Sequence, residues 1–222
     1  MIVTIVKGGS ILMSRLDRDK MFRLRFRMFR ERLGWDVSST DGREHDSFDA
    51  LEPLYVLAKE GSAVVGCWRM LPTTGPNMLR DTFPELLAGR PAPEDERIWE
   101  LSRFAVDTSN AVHPGGFGLS TVPIVMMRDA VIYARSQGVE VFVTVTTVAI
   151  ERLLRQIGLK PSRLGPVMDI GVERTVALAF DTDSSTELAL CTAAEKRRLA
   201  DELAEAERTL PAGGPSVPPG KD

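Results

Sequence analysis

The chain is poor in the residues from which many catalytic sites are built, with two histidines and two cysteines in 222 residues. It has no Gly-x-Ser-x-Gly element and too little histidine for a Ser-His-Asp triad, which disfavours hydrolysis by that route. Cys67 and Cys191 lie far apart and make neither a disulfide framework nor a metal motif, so both read as small apolar residues in a reducing cytoplasm. No standard ligand spacing is present either, and no metal site is expected. No apolar run approaches the ~18 residues of a membrane helix. Met1 to Val6 is too short for a signal peptide, lacks its basic start, and reads as a first strand. An excess of charge is also missing: the formal net charge of −3 gives no whole-chain reason to expect nucleic acid. The expectation is a soluble cytoplasmic protein that engages neither membrane nor nucleic acid.

What is present is the composition of a globular protein, 43% hydrophobic and 27% charged. The length suits a core that buries roughly 70–75% of the unfolded surface. We expect a single domain over 1–210 and a disordered Pro/Gly tail over 211–222. Periodicity predicts a strand near 2–6, a helix over 15–33, a polar loop over 36–50, and strands at about 53–60 and 63–71. A short helix near 77–88, a strand over 98–106, a helix over about 120–137 and a strand over 139–147 follow. A helix at 148–157, two strands around 167–181 and a charged helix over 192–209 complete the order. Hairpins and helices sharing one mixed sheet make an α/β or α+β sandwich.

Four features stand out from this background. Arg25 shares a helix face with Phe22 and Phe29, where a guanidinium either snorkels out past the rings or meets an anion. Glu44-His45-Asp46-Ser47-Phe48-Asp49 puts three carboxylates within six residues, just after Trp35. Asp46 and Asp49 either are solvated or hold a cation beside the faces of Phe29 and Trp35. Trp99-Glu100-Leu101-Ser102-Arg103-Phe104 embeds two opposite charges in an apolar strand, where charges are paired or functional. Strict alternation sends Glu100 and Arg103 to opposite faces, so both serve one site only if the strand bulges between them. Finally, the glycine-rich loop His113-Pro114-Gly115-Gly116-Phe117-Gly118 precedes a helix, where backbone amides can receive a phosphate.

Together, Arg25, Phe29, Trp35, Asp46, Asp49, Arg69 after Gly66-Cys67-Trp68, Glu100 and Arg103 resemble the signature of the LuxI-type autoinducer synthases, the acyl-homoserine-lactone synthases. Order and spacing agree at all eight positions. Pro72-Thr73-Thr74-Gly75-Pro76, Phe83-Pro84-Glu85-Leu86-Leu87 and Val143-Thr144-Val145-Thr146-Thr147 resemble the long-chain, LasI-like branch. The resemblance covers about residues 1–190.

It implies a fold similar to the GCN5-related N-acetyltransferases: a twisted mixed sheet, helices on both faces and a V-shaped splay between two central strands. It also implies a two-step reaction on S-adenosylmethionine as substrate, with no permanently bound cofactor. The α-amine attacks the thioester of an acyl-acyl-carrier protein or acyl-coenzyme A. The methionine carboxylate then displaces methylthioadenosine and closes the lactone. In this reading Glu100 is the base, directly or through a water, and Arg103 completes the catalytic pair. Arg25, Arg69 or Arg103 binds the substrate carboxylate or braces the site. Asp46 and Asp49 suit its sulfonium or ammonium, with Phe29 and Trp35 stacking on it.

The acyl chain would lie beside the strand 139–147, against Trp68, Leu101, Ser102, Phe104, Val122, Met126, Val143 and Thr144. A threonine at Thr144 goes in this family with a 3-oxo group, and the branch implies a chain of eight carbons or more. Arg152, Arg155 and Lys160, with Arg163, form a basic patch for an acidic acyl-carrier protein. The nearest rival is a coenzyme A-dependent N-acyltransferase of the same fold with another amine acceptor. It leaves the Arg25-Phe29-Trp35-Asp46-Asp49 set unexplained.

Overall fold

The computed structural model of the protein describes residues 1–107 and 121–209, with side chains to 204. The glycine-rich loop at 113–118 and the tail at 211–222 lie outside the described residues. Strand β1 (Ile2–Lys7) leads to helix α1 (Arg15–Phe26), where the Ser14 hydroxyl caps the first turn by accepting from the Asp17 amide at 2.9 Å. Helix α1 runs on as a π-helical segment, Arg27–Arg32. The stretch expected to be loop holds a small hairpin, β2 (Ser39–Thr40) and β3 (Arg43–Glu44), and a 3-10 turn, Ser47–Leu51. Strands β4 (Leu54–Glu60) and β5 (Ala63–Pro72) follow. The helix expected near 77–88 is two pieces, α2 (Met78–Asp81) and a 3-10 turn, Pro84–Leu87, because Pro84 cannot continue a helix already under way. Next come β6 (Ile98–Val106), α3 (Thr121–Ser136), β7 (Val141–Thr147) and α4 (Val148–Gln156). The chain continues through β8 (Ser162–Arg163), β9 (Met168–Ile170), β10 (Glu173–Asp181) and α5 (Ser184–Thr209). Helix α5 begins eight residues before the charged stretch that signalled it. The Asp183 carboxylate starts it by accepting from the Thr186 amide at 2.8 Å.

The main sheet runs β1-β4-β5-β6-β7-β10-β8, with β9 also paired to β10. Its pairings are antiparallel except β6 with β7. That parallel pairing ends at Leu101 and Thr144, although β6 continues to Val106 and β7 to Thr147, so the two strands diverge as a V. On its other side β6 carries one extra residue: Cys67 pairs with Ala105 but Arg69 with Ser102. Arg103 lies in that bulge with φ +56°, in the left-handed region. The irregularity required to bring Glu100 and Arg103 to one face is therefore in place.

Helices cover both faces. On one, Trp68, Met70 and Leu101 pack with Met126, Met127 and Ala130 of α3, Leu154 of α4 and Leu190 of α5. On the other, Tyr55, Leu57 and Cys67 pack against Met21 and Leu24 of α1, and Val143 and Ala177 against Leu79, Leu86 and Leu87. Gly66 is what lets α3 approach β5. A Cβ there would stand 2.5 Å from Met126 Sδ and 3.3 Å from Val122 Cγ1. Among the described residues no helix is long and apolar enough to cross a membrane.

Candidate active site

Three arginines and three carboxylates interlock on the α1 face of the sheet. Arg25 is 1% exposed and does not snorkel. Its Nη1 and Nη2 donate to Asp49 at 2.8 and 2.9 Å, and its Nε donates to Glu44. Arg69, 0% exposed, donates to both Asp46 oxygens at 2.5 and 3.1 Å and to Asp49 at 3.0 Å. Arg103 donates from Nε to Glu44 at 3.0 Å and pairs through Nη2 with Asp46 at 2.8 Å. The carboxylates are aimed by a capping box across the 3-10 turn, in which Asp46 accepts from the Phe48 amide and Asp49 from the Asp46 amide. Burial pushes the Asp49 carboxyl up, but Arg25 first, then Arg69 and the Tyr55 hydroxyl at 2.6 Å, outweigh it and hold Asp49 below the usual carboxylate range.

This arrangement changes what Asp46 and Asp49 can do. Their oxygens are taken by arginines, so they set the guanidinium positions and present no open pair to a substrate cation. Arg25 and Arg69 in turn are buried with their guanidinium groups directed at these carboxylates. Arg103, 15% exposed on its side chain, is the arginine that also reaches open space. Glu44 and Tyr55 belong to the cluster and were not singled out from the sequence. The signal for Glu44 was its place in the acidic run; a single tyrosine in a β-strand carried none.

The aromatic pair sits at the end of the π-helical segment. Gly34, at φ +66°, turns the chain so that the Trp35 amide donates back to the Phe29 carbonyl at 2.8 Å. The rings then stack at 5.4 Å and 5°, and the Arg103 guanidinium lies over Phe29 at 5.8 Å. Trp35 is the half-buried partner of the stack.

Glu100 is fully buried and accepts from the amides of Met78 and Leu79 at 3.1 and 2.6 Å, holding the start of α2. Burial raises its pKa, opposed by those two amides, by Arg69 and by a hydrogen bond with Ser102. Ser102 Oγ in turn accepts from Arg69 Nε at 3.1 Å.

A cavity of about 60 Å³ lies across the V on the α3 face, lined by Trp68, Ser102, Phe104 and Thr144 together with Arg103, Val145, Thr146, Pro123, Met127, Ile150, Leu154 and Phe180. Leu101, Val122, Met126 and Val143 do not line it, which corrects their expected place on its wall. Leu101 and Met126 are sealed in the core between sheet and α3. Val122 packs at Gly66, and strand alternation sends Val143 to the opposite face beside Leu79. The Thr144 hydroxyl donates to the Leu101 carbonyl at 2.8 Å, so its proton is already committed.

The expected basic patch is partly tied down. Buried Glu151 accepts from Arg155 at 3.0 Å and from Arg163 at 2.7 Å, and those hydrogen bonds, Arg163 first, lower its pKa. Arg152 and Lys160 are exposed.

Comparisons with known proteins identify the family. The family model described as autoinducer synthase matches residues 10–190. An acyl-homoserine-lactone synthase of Pseudomonas aeruginosa is 46% identical over 174 residues, 77% of this chain and 85% of that protein. The crystal structure of the AHL synthase LasI is 44% identical, with a TM-score of 0.75 over 85% of this chain and 93% of LasI. BjaI, a CoA-dependent acyl-homoserine lactone synthase solved with SAM and isopentyl-CoA and also with MTA, is 27% identical, with a TM-score of 0.78 over 87% of this chain and 89% of BjaI. With its GCN5-related N-acetyltransferase-like fold, the chain belongs to the autoinducer synthase family and is an acyl-homoserine-lactone synthase, an acyltransferase of quorum sensing.

Proposed function

We propose that the enzyme acylates the α-amine of S-adenosylmethionine from an acyl-acyl-carrier protein, then closes the lactone with release of methylthioadenosine. The observation that carries this reading is the meeting of two unlike half-sites at the β6 bulge. The charged cluster lies on the α1 face and the apolar cavity on the α3 face, and Ser102 and Arg103 touch both. A substrate that is charged at one end and fatty at the other fits that junction.

Arg103, the partly exposed arginine, meets the methionine carboxylate. Trp35 offers an aromatic face to the sulfonium. An α-ammonium has a pKa of about 7.7–8.0, so a modest base suffices to free its lone pair. Glu100, raised by burial, takes that proton through Ser102 Oγ or a water beside it. The amine nitrogen attacks the thioester carbon, and the carbon–sulfur bond breaks to leave the carrier thiol. The carboxylate oxygen then attacks the γ-carbon, whose bond to the sulfonium breaks, and neutral methylthioadenosine departs.

Incubation with S-adenosylmethionine and acyl-acyl-carrier protein, followed by mass spectrometry, should yield acyl-homoserine lactone and methylthioadenosine in equal amounts. An acylated amine without methylthioadenosine would favour the coenzyme A-dependent N-acyltransferase reading. In the same assay Glu100→Gln should lower kcat by about 10²–10⁴-fold. Near-normal turnover by a folded E100Q protein would remove Glu100 as the base.

A further inference from the structure

A carboxylate as deeply buried as Glu100 is held by whatever donates to it, and two of its donors are the backbone amides of Met78 and Leu79. An amide N–H lies in its peptide plane, so the aim of both depends on how the turn before α2 is fixed. Asn77 fixes it. The residue is 1% exposed, and both polar atoms of its side chain are engaged. Its Oδ1 accepts from the Arg80 amide at 3.0 Å, which caps α2. Its Nδ2 donates to the Gly75 and Thr73 carbonyls at 3.1 and 3.4 Å, and its own amide donates to the Asp81 carboxylate at 2.9 Å.

This turn is also stitched to the strand that carries Glu100. Thr73, fully buried, donates both its amide and its hydroxyl to the Ile98 carbonyl, at 3.0 and 2.8 Å. Ile98 opens β6, two residues before Glu100. Asn77 therefore ties α2 to β6 through Thr73. The start of α2 reaches Arg103 as well, whose Nη1 donates to the Met78 thioether at 3.1 Å.

We propose that Asn77 is a positioning residue for the base: by capping α2 it aims the Met78 and Leu79 amides at Glu100 and keeps that carboxylate fixed and ionised. The proposal rests on the reading of Glu100 as base given above. Burial works against the charge of Glu100, and the Leu79 and Met78 amides are the strongest of the groups that oppose it, ahead of Arg69 and Ser102. Arg69 on β5 is the cation that faces it, Arg80 and Asp81 of α2 pair with each other, and its neighbour on β7 is the apolar Val143. Loss of the cap lets the two amides turn away, so the carboxylate loses donors that favour its charged form and its pKa climbs further.

The test is the pH dependence of kcat, with both substrates saturating, in wild type, Asn77→Ser and Asn77→Ala. Serine keeps a capping acceptor and alanine does not, while the two leave nearly the same space unfilled. The acid limb of the profile reports the base in the bound complex. It should move to higher pH by about one unit in Asn77→Ala and stay close to wild type in Asn77→Ser. Limbs that coincide in all three proteins overturn the proposal, as does an equal shift in both variants, which would leave Asn77 a packing residue.

A second measurement does not depend on a variant folding. In ¹⁵N spectra of the wild type, the Met78 and Leu79 amide protons should move upfield together as falling pH neutralises their shared acceptor. The Arg80 amide, bonded to the Asn77 side chain, should not follow them. Met78 and Leu79 amides that fail to titrate together refute the proposal. Near-normal turnover by E100Q would instead strike at the reading of Glu100 as base, and remove the premise with it.

Discussion

Asp49 shows how much of this site is decided by single groups. Its two oxygens serve Arg25, Arg69, Tyr55 and the Asp46 amide, and it is nearly buried. Its pKa is held below the unfolded value of about 3.9, so the stability it contributes is complete above that pH and is lost as pH falls beneath it. Glu100 has the opposite sign. Its raised pKa means the folded chain binds a proton more readily than the unfolded one, so its contribution declines as pH rises above about 4.3. Asp49→Asn leaves two buried guanidinium groups short of an anion and should cost about 3–5 kcal/mol at neutral pH. The gap to wild type should then narrow as pH drops from 5 towards 3, since the wild type loses what the variant never had. Urea unfolding midpoints across that range would measure this. A gap that stays constant would mean Asp49 does not carry the acid dependence. At this scale the sequence was informative about which residues gather, because Arg25 among phenylalanines and charges inside a strand are costly without partners. It was silent on who pairs with whom. Nothing in the order of residues 44–49 says that Asp46 and Asp49 go to arginines, or that Glu44 joins them.

At the scale of elements, the bulge in β6 and the contact of α3 with β5 do most to shape the site. The bulge was legible as a demand, since Glu100 and Arg103 are three apart and alternation separates them. The strand spans agree closely for the same reason: β6 and β7 carry strong apolar and β-branched patterns. The weakly patterned stretches were harder to read. Two-residue strands such as β2, β3 and β8 have no periodicity to detect, and they exist only because tertiary neighbours hold them. The membership of the cavity wall was also hidden, because it depends on how far β6 and β7 splay. Gly66 is where these elements meet most tightly. Gly66→Ala would press its methyl onto Met126 and Val122, and Met126 is fully buried with little room to yield. We expect a loss of about 1–3 kcal/mol in unfolding free energy. Because Pro123 and Met127 of α3 wall the cavity, kcat/KM for the acyl substrate should fall too. A variant as stable as wild type would show that α3 is free to slide, and that the close approach is incidental.

At the scale of the whole molecule, we propose that an acyl carrier protein docks on a face around α4 and β8 where basic side chains outnumber acids. Around α4 and β8, Arg152, Arg155, Lys160 and Arg163 stand against Glu151 alone, in a chain whose net charge is −3. Ile150 and Leu154 of the same helix line the apolar cavity at the V. A carrier docked here would deliver its thioester close to the V. The structure also shows which charges can be altered without harm to the fold. Arg155 and Arg163 neutralise buried Glu151, so reversing either would leave a carboxylate stranded beside a new negative charge. Arg152 and Lys160 are exposed and outside that clamp. The double substitution Arg152→Glu and Lys160→Glu should therefore unfold like wild type, yet raise KM for acyl-carrier substrate several-fold with little change in kcat. Rim charges act mainly on association and its salt dependence. Raising ionic strength should accordingly weaken the wild type towards the variant, because a Debye length of about 8 Å at physiological salt shrinks to about 3 Å at 1 M. Steady-state kinetics at low and high salt would decide it. If KM and its salt response are the same in both proteins, the carrier docks elsewhere, and the basic face of α4 is only a solvated surface.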